Sequence, residues 1–221
     1  IDEPMITFDN VYKRYPDGYE ALGNLVFTIH AGEIVFITGH SGAGKSTLLK
    51  LIAAIEKPTS GSITVSDQIV NKLKKSMIPF LRRSLGIIFQ DQKILYDRTV
   101  FANVMLPLQI HGFEKSVMER RVRAALDKVG LLNKEKAYPI TLSGGEKQRL
   151  CIARAVVHRP LILIADEPTA NLDVAYAQNI MDVFRSFHQV GVTVLIATHD
   201  QTILNDSTAR ILSLNQGKLM V

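Results

Sequence analysis

The chain has 221 residues, of which 47% are hydrophobic and 21% charged, and 26 basic against 21 acidic residues give a formal charge of +5. A chain of this length buries roughly 70% of the surface that it exposes when unfolded, so it can form a core without disulfides or a structural metal. Cys151 is its only cysteine, which excludes a disulfide scaffold, and no apolar run approaches the roughly 20 residues of a membrane-spanning helix.

The opening residues, 1–4, precede Met5 and are acidic where a secretory signal would be basic and then apolar. We expect them to be a remnant ahead of a native start at Met5, with residues 5–221 forming a single domain.

The positive charge is concentrated in residues 68–90, which contain five basic residues and no acidic one. The five are Lys72, Lys74, Lys75, Arg82 and Arg83. The rest of the chain sums to zero, so the pattern indicates a local basic patch rather than a nucleic-acid-binding surface, and we expect no nucleic acid. A solvated surface without a partner is the alternative.

The first elements in chain order are a predicted antiparallel hairpin, a strand and a helix. Ile6, Phe8 and Val11 lie in a strand-like run, residues 16–18 supply a turn, and the chain returns over residues 25–29. A strand over residues 34–38 then leads through a glycine-rich loop to a helix over residues 46–55.

The second half alternates apolar strands with helices. Strands are predicted over residues 85–89, 161–165 and 192–197, helices over 114–129, 143–158 and 174–189, and a terminal hairpin over 210–214 and 218–221. This alternation predicts an α/β fold whose parallel sheet is covered on both faces, with a helical lobe inserted roughly over residues 92–158.

The glycine-rich loop at residues 39–46 matches the phosphate-binding loop pattern in full and stands between a strand and a helix, as that pattern requires. Glycines let backbone N–H groups surround phosphate oxygens, Lys45 would neutralise phosphate charge, and the Ser46 hydroxyl would ligate Mg²⁺. The residues expected to bind ATP are Gly39, His40, Ser41, Gly42, Ala43, Gly44, Lys45, Ser46 and Thr47.

An apolar strand that ends in two carboxylates, Asp166 and Glu167, is the second motif. We expect Asp166 to hold the Mg²⁺ shell, and Glu167, on the opposite side of the strand, to polarise a water for attack on the γ-phosphate. An acidic turn exposed to solvent is the alternative for this motif in isolation.

The third motif is Leu-Ser-Gly-Gly-Glu at residues 142–146. Ser143 and Glu146 form a capping box, and Gly144 and Gly145 expose backbone N–H groups at the positive end of a helix. A second phosphate-binding helix start suggests that it serves the nucleotide of another subunit.

In order and spacing these motifs resemble those of the ATP-binding cassette (ABC) ATPases over the whole chain. The resemblance implies a P-loop NTPase fold with a RecA-like parallel core, an N-terminal antiparallel β subdomain and a helical signature lobe. It adds Gln90 as a Mg²⁺ ligand, Tyr15 against adenine, and His199 as a partner of the catalytic base Glu167. It also implies ATP and Mg²⁺ as cofactors, and a homodimer that forms on ATP binding, in which the signature and dimer-loop residues Ser143, Gly144, Gly145, Glu146 and Asp173 act across the interface.

Local runs at residues 38–44, 78–91 and 122–132 are similar to those of the cell-division branch of this family. That likeness implies an integral membrane partner, contacts with other division proteins, and a place on the cytoplasmic face of the cell membrane. ATPases of lipoprotein-release or macrolide-export systems share nearly every motif and are the alternative.

Two more distant alternatives remain. A DNA-maintenance ATPase head would carry long coiled-coil arms between the phosphate loop and the signature, but residues 47–142 lack heptads. A nucleotide kinase would leave the signature and His199 unexplained.

Overall fold

The structure is a computed structural model that describes residues 3–40, 42–205 and 208–220. The strands are β1 (Pro4–Arg14), β2 (Glu20–His30), β3 (Ile34–Thr38), β4 (Ser60–Val65), β5 (Gln68–Ile69), β6 (Leu85–Ile88), β7 (Ile162–Asp166), β8 (Thr193–Ala197), β9 (Arg210–Asn215) and β10 (Lys218–Leu219). The helices are α1 (Lys45–Ile52), α2 (Ile78–Arg83), α3 (Val100–Ile110), α4 (Lys115–Lys128), α5 (Gly144–Val156), α6 (Val174–Gln189) and α7 (Gln201–Asn205).

The strands of the described residues form two sheets. An antiparallel sheet has the order β2-β1-β4-β5, and a second sheet has the order β10-β9-β3-β8-β7-β6. In the second sheet β9, β3, β8, β7 and β6 are parallel, and β10 is an antiparallel edge strand. The predicted α/β fold with an N-terminal antiparallel β subdomain is therefore confirmed.

The central part of the parallel sheet is buried on both faces because β3, β6, β7 and β8 each contribute residues to two apolar clusters. Phe36 and Leu163 belong to the cluster formed with α3, α4, α5 and α6. Val35, Ile37 and Ile164 belong to the cluster formed with α1 and the antiparallel sheet. The strands thus have fixed positions between two layers, and their ends provide rigid points from which loops project.

Most predicted elements agree with the structure to within two residues, and α6 agrees at both ends. Helix α1 ends at Ile52 rather than residue 55, because Ala54 adopts a left-handed φ of 58° and the Ile55 N–H closes the last turn on the Lys50 carbonyl. Helix α3 was not predicted as a separate element, since Pro107 lies inside it.

Helices α3, α4 and α5 pack together between Gln90 and β7, the interval in which the sequence predicts the helical lobe. Asn103 of α3 is fully buried, and its amide bonds the Leu95 backbone in both directions, which ties the preceding loop to the helix. The lobe boundaries and the native start at Met5 stay predictions, and residues 1, 2 and 221 lie outside the described residues. None of the described helices has the length and apolarity needed to cross a membrane.

Candidate active site

A cavity of about 330 Å³ lies at the carboxyl ends of β3, β7 and β8, where ligands bind in open parallel sheets. Its described lining residues come from the hairpin, the phosphate loop, the loop after β6, and the ends of β7 and β8. They are Tyr19, Ala21, Gly42, Gly44, Lys45, Ser46, Thr47, Gln90, Asp166, Glu167 and His199.

The phosphate loop connects β3 to α1, as predicted, and its backbone requires glycine at two positions. Gly44 precedes the first residue of α1 and has a φ of +106°, which only glycine adopts without strain. A side chain at Gly39 would lie 2.6 Å from the Leu214 carbonyl oxygen, so the loop packs directly on β9. Ala43 is fully buried and His40 is exposed, whereas Ser41 lies outside the described residues.

Lys45 is the first residue of α1 and is only 7% exposed. Its ammonium group donates to the Gly39 carbonyl at 2.8 Å and forms an ion pair with Glu167 Oε1 at 3.0 Å. A buried ammonium group in this position can neutralise phosphate charge once a nucleotide displaces the carboxylate.

Ser46 and Asp166 join the start of α1 to the end of β7. The Ser46 hydroxyl donates to Asp166 Oδ2 at 2.8 Å. Burial raises the pKa of Asp166 above its ordinary value, although the hydrogen bond from Ser46 opposes that change. A hydroxyl and a carboxylate in contact, with the Gln90 amide lining the same cavity, are oxygen donors of the kind that Mg²⁺ prefers.

Glu167 and His199 are in contact in the cavity, with 2.6 Å between Glu167 Oε1 and His199 Nδ1. The Glu167 side chain is 10% exposed, and burial alone would raise its pKa. Hydrogen bonds from His199 and Lys45 outweigh burial and lower the pKa of Glu167 below its ordinary value. The two adjacent carboxyls, Asp166 and Glu167, are therefore shifted in opposite directions.

The expectation that Glu167 lies on the opposite side of the strand from Asp166 is wrong. Strand β7 ends at Asp166, and Glu167 takes a left-handed φ of 48° while its N–H donates to the Ala197 carbonyl at 2.7 Å. Because the backbone leaves the extended conformation there, strand alternation no longer applies, and both carboxyls line the same cavity.

A second cavity of about 230 Å³ adjoins the first and shares two of its residues, Gln90 and Glu167. Gly144 of the signature and Leu172 of the loop before α6 also line it. The structure thus brings part of the signature of this chain near its own Glu167, but not into the cavity that Lys45 lines.

The predicted capping box at the start of α5 is present. Ser143 Oγ accepts from the Glu146 N–H at 3.1 Å, and Glu146 Oε1 accepts from the Ser143 N–H at 3.0 Å. That second bond lowers the pKa of Glu146, as does the nearby Lys134. A Cβ at Gly145 would lie 2.5 Å from the Tyr176 ring, so this glycine allows α5 and α6 to approach closely, while Ser143 and Gly144 stay exposed.

Asp173 is exposed and caps α6 by accepting from the Tyr176 N–H at 2.9 Å. This predicted interface residue therefore stabilises the start of α6 within its own chain, and its exposed position leaves it accessible to a second chain.

Tyr15 is not among the described residues that line the cavity, whereas Tyr19 is. The two rings are nearly parallel, with planes 7° apart and centroids 6.4 Å apart. The Tyr15 hydroxyl donates to Glu56 at 2.7 Å, and the Tyr19 hydroxyl lies 3.4 Å from the Gly42 carbonyl. Tyr15 therefore lies beside a residue that lines the cavity but does not line it itself.

Sequence reasoning missed Tyr19 and Gln148. Tyr19 follows the turn of the first hairpin, and its proximity to the phosphate loop is a tertiary contact without a sequence motif. Gln148 is buried in α5 and joins two loops, because its amide donates to the Pro168 carbonyl and accepts from Gln92. The signal in the sequence was a polar residue among the apolar positions of a predicted helix, because such a residue needs hydrogen-bond partners when it is buried.

Comparison with known proteins gives matches along nearly the whole chain. A family model described as ABC transporter matches residues 22–170. The cell division ATP-binding protein FtsE of Escherichia coli (strain K12) is 54% identical over 215 residues, 97% of each chain. The protein of the same name from Bacillus subtilis (strain 168) is 44% identical, over 96% of this chain and 93% of its own.

Solved structures agree in fold. The dimeric ATP-binding cassette MJ0796, in a post-hydrolysis state bound to ADP and Pi, has a TM-score of 0.88 and 32% identity, and covers 98% of this chain and 97% of its own. The cbiO1 protein from Clostridium perfringens, part of the ABC transporter complex cbiONQ, has a TM-score of 0.92 and 30% identity, over 100% of this chain and 88% of its own.

Proposed function

Because this chain belongs to the ABC transporter family of ATP-binding cassette ATPases, we propose that it is the ATP-hydrolysing subunit of a membrane-bound complex in bacterial cell division. The chain is an ATPase of the ABC type, with ATP and Mg²⁺ as its cofactors. The observation that best supports ATP hydrolysis at this site is that Lys45, Glu167 and His199 meet in one cavity.

We propose that the phosphate loop binds the phosphates of ATP through its backbone N–H groups, at residues 39–47, and through the Lys45 ammonium. The N-terminus of α1 adds partial positive charge to the same site. Tyr15 and Tyr19 would bind the adenine at the edge of the cavity, since their parallel rings offer a flat aromatic surface.

Ser46, Asp166 and Gln90 would hold the magnesium ion. The contact between the Ser46 hydroxyl and Asp166 supports this assignment, because it already gathers oxygen donors beside the phosphate loop. The ion supplies positive charge to the phosphate oxygens when it is bound.

Glu167 would act as the general base that accepts a proton from the attacking water. Its lowered pKa keeps it ionised at neutral pH, as a base must be. His199, in contact with the same carboxylate, would fix its orientation and the position of the water. When ATP draws Lys45 toward phosphate, Glu167 loses one of its two side-chain partners and becomes more basic.

The exposed signature supports a homodimer in which each subunit completes the site of the other. Ser143 and Gly144 are exposed at the N-terminus of α5, the end of a helix that attracts anions. Gly145, Glu146 and Asp173 would shape this surface and contact the second subunit. The likeness to the dimeric MJ0796 cassette supports the same arrangement.

The cell-division assignment rests on the relatives named FtsE, of which the Escherichia coli protein is 54% identical over 97% of this chain and the Bacillus subtilis protein 44% identical over 96%. By that likeness the partner would be an integral membrane protein resembling FtsX, and the chain would lie peripherally on the cytoplasmic face of the cell membrane, in reach of other division proteins. The ATPases of lipoprotein-release and macrolide-export systems are not favoured by these relatives.

Affinity purification from native membranes tests the partner. We expect the tagged chain to recover a membrane protein of the FtsX type, and an identically tagged unrelated ABC ATPase to recover none. Recovery of a lipoprotein-release permease instead would overturn the cell-division assignment while leaving the ATPase activity, measured as phosphate release, intact.

A further inference from the structure

A cavity of about 350 Å³, here called the basic cavity, is lined by Arg83, Phe113, Arg121, His158 and Arg159. These residues come from separate parts of the chain: the end of α2, the loop after α3, the helix α4, and the segment between α5 and β7. Its volume is at the lower end of the range of small-molecule sites, about 300–1,000 Å³.

The basic cavity is separate from the nucleotide cavity. Arg83 precedes β6, whereas Gln90, which lines the nucleotide cavity, follows the same strand. His158 and Arg159 likewise precede β7, whereas Asp166 ends it. Since β6 and β7 are parallel, the basic cavity lies at the amino-terminal ends of these strands and the nucleotide cavity at their carboxyl ends.

The charge of the basic cavity is uncompensated within the described chain. None of its described lining residues is acidic, and none of its three guanidinium groups forms an ion pair with a carboxylate of the described residues. By contrast, Arg123, two residues after Arg121 on α4, pairs with Glu135 at 3.4 Å.

Local contacts hold two of the guanidinium groups in place. Arg83 Nη2 donates to the His111 carbonyl at 2.7 Å, and the Arg121 guanidinium lies 4.8 Å from the centroid of the Phe113 ring. An arginine carries five N–H donors, so both groups keep donors for a ligand. Burial lowers the pKa of Arg121, and repulsion from Arg159 and Arg120 lowers it further.

His158 adds an unsatisfied polar atom. Its Nε2 bonds the Leu85 carbonyl at 2.8 Å, while Nδ1 is buried with no hydrogen-bond partner among the described residues. Because Nε2 donates to a carbonyl, Nδ1 of the neutral ring is an acceptor, and it calls for a donor such as a water rather than for an anion. The three guanidinium groups, none of them paired with a described carboxylate, are therefore the feature that indicates a bound anion in the cavity.

We propose that the basic cavity binds a phosphate group, carried by a free phosphate monoester or by the headgroup of an anionic phospholipid. Phosphate offers up to two negative charges and several acceptor oxygens, which match converging guanidinium groups better than a single carboxylate does. A lipid source is compatible with Phe80, which is 55% exposed and lies three residues before Arg83 on α2, on the same side of the helix.

Vesicle flotation tests the lipid source. The wild-type chain is mixed with vesicles of phosphatidylcholine alone, or with about 30% phosphatidylglycerol, and compared with the double variant Arg83→Gln/Arg121→Gln. The control is Arg82→Gln/Arg120→Gln, which removes the same charge from exposed neighbours that do not line the cavity. Each basic residue near an anionic surface raises the affinity about fivefold without any specific site, so only the difference between the two double variants is informative. We expect the cavity variant to lose at least about tenfold more affinity than the control.

Calorimetric titration with glycerol phosphate tests whether the cavity binds a free phosphate monoester. ADP and Mg²⁺ are present to fill the nucleotide cavity. Binding that is lost in the cavity variant and kept in the control supports the proposal, and the vesicle result then identifies the source. Equal losses in the two double variants, or no binding of either probe, would overturn it. If the double variant does not fold, Arg159→Gln, at an exposed residue, provides the same comparison against Arg120→Gln.

Discussion

Lys45 and Glu167 form a buried ion pair, with 3.0 Å between Nζ and Oε1 and side-chain exposures of 7% and 10%. The cation proposed to hold phosphate and the carboxylate proposed to activate water thus neutralise each other. A nucleotide phosphate competes with Glu167 for the ammonium group, so ATP binding and release of the base are coupled. Removing either residue leaves the charge of the other buried without its ion-pair partner. The two substitutions should nevertheless have different effects, because Lys45 is proposed to hold phosphate and Glu167 to activate water.

We predict that Glu167→Gln retains ATP binding and loses turnover. Glutamine keeps the shape of the side chain but does not accept a proton, and a general base contributes about 10²–10⁴-fold to rate. Steady-state phosphate release measures the loss, and gel filtration with ATP should detect an accumulated dimer. Glu119→Gln, an exposed position on α4, is the control. Undiminished hydrolysis in Glu167→Gln would remove this residue from the role of base.

Lys45→Ala should weaken ATP binding by about 10–100-fold, because hydrogen bonds to charged groups contribute about 1.5–3 kcal/mol each. Calorimetry with ATP and Mg²⁺ measures the affinity. Lys50→Ala, on the same helix but outside the lining of the cavity, provides the control. Equal affinities of Lys45→Ala and the wild type would contradict the assignment of the phosphate site.

Substitution of His199 should move the pH dependence of hydrolysis. Its hydrogen bond helps to lower the pKa of Glu167, so His199→Ala raises that pKa. The base must be ionised, and the acid limb of kcat/KM, which reports the free enzyme, therefore shifts to higher pH. The loss of orientation should also lower kcat by up to about 10²-fold. Coincident acid limbs in the two proteins would mean that His199 does not act through Glu167.

Tyr19→Ala should reduce affinity for ATP but not for inorganic tripolyphosphate, which has no base to stack. Base–aromatic stacking contributes about 1–3 kcal/mol, so the expected loss is about 5–150-fold. Competition binding with each ligand measures the two affinities, and Tyr138→Ala, at an exposed residue that does not line the cavity, is the control. Equal loss for both ligands would assign Tyr19 to the phosphate loop instead, through its contact with Gly42.

Cys151 should be inert toward thiol reagents in the folded protein. Burial raises the pKa of its thiol to about 11, and the residue is 2% exposed. At pH 8 roughly one thiol in a thousand is ionised, against about one in four for an ordinary cysteine. Labelling with a thiol-specific disulfide reagent should be at least about 100-fold slower than at Ser116→Cys, an exposed position, and should become fast in guanidinium. Fast labelling of the native wild type would contradict the buried placement.

The sequence by itself determined strands β1–β3 and β6–β10, helices α1, α4, α5 and α6, the phosphate loop, the capping box and the carboxylates at the end of β7, but it did not predict β4, β5, α2 or α7. These features depend on hydrophobic periodicity, on glycine conformations and on contacts between residues close in the chain, all of which a single sequence records. Helix α3 escaped prediction because Pro107 interrupts its local pattern, although packing against α5 stabilises it.

Only the tertiary structure decided which distant groups meet. The ion pair of Lys45 with Glu167 spans 122 positions, and the contact of Glu167 with His199 spans 32. The direction of Glu167 depends on a left-handed backbone turn that strand alternation does not predict. No sequence motif marks the basic cavity, because neighbouring parallel strands bring their amino-terminal ends together although these ends are far apart in the chain.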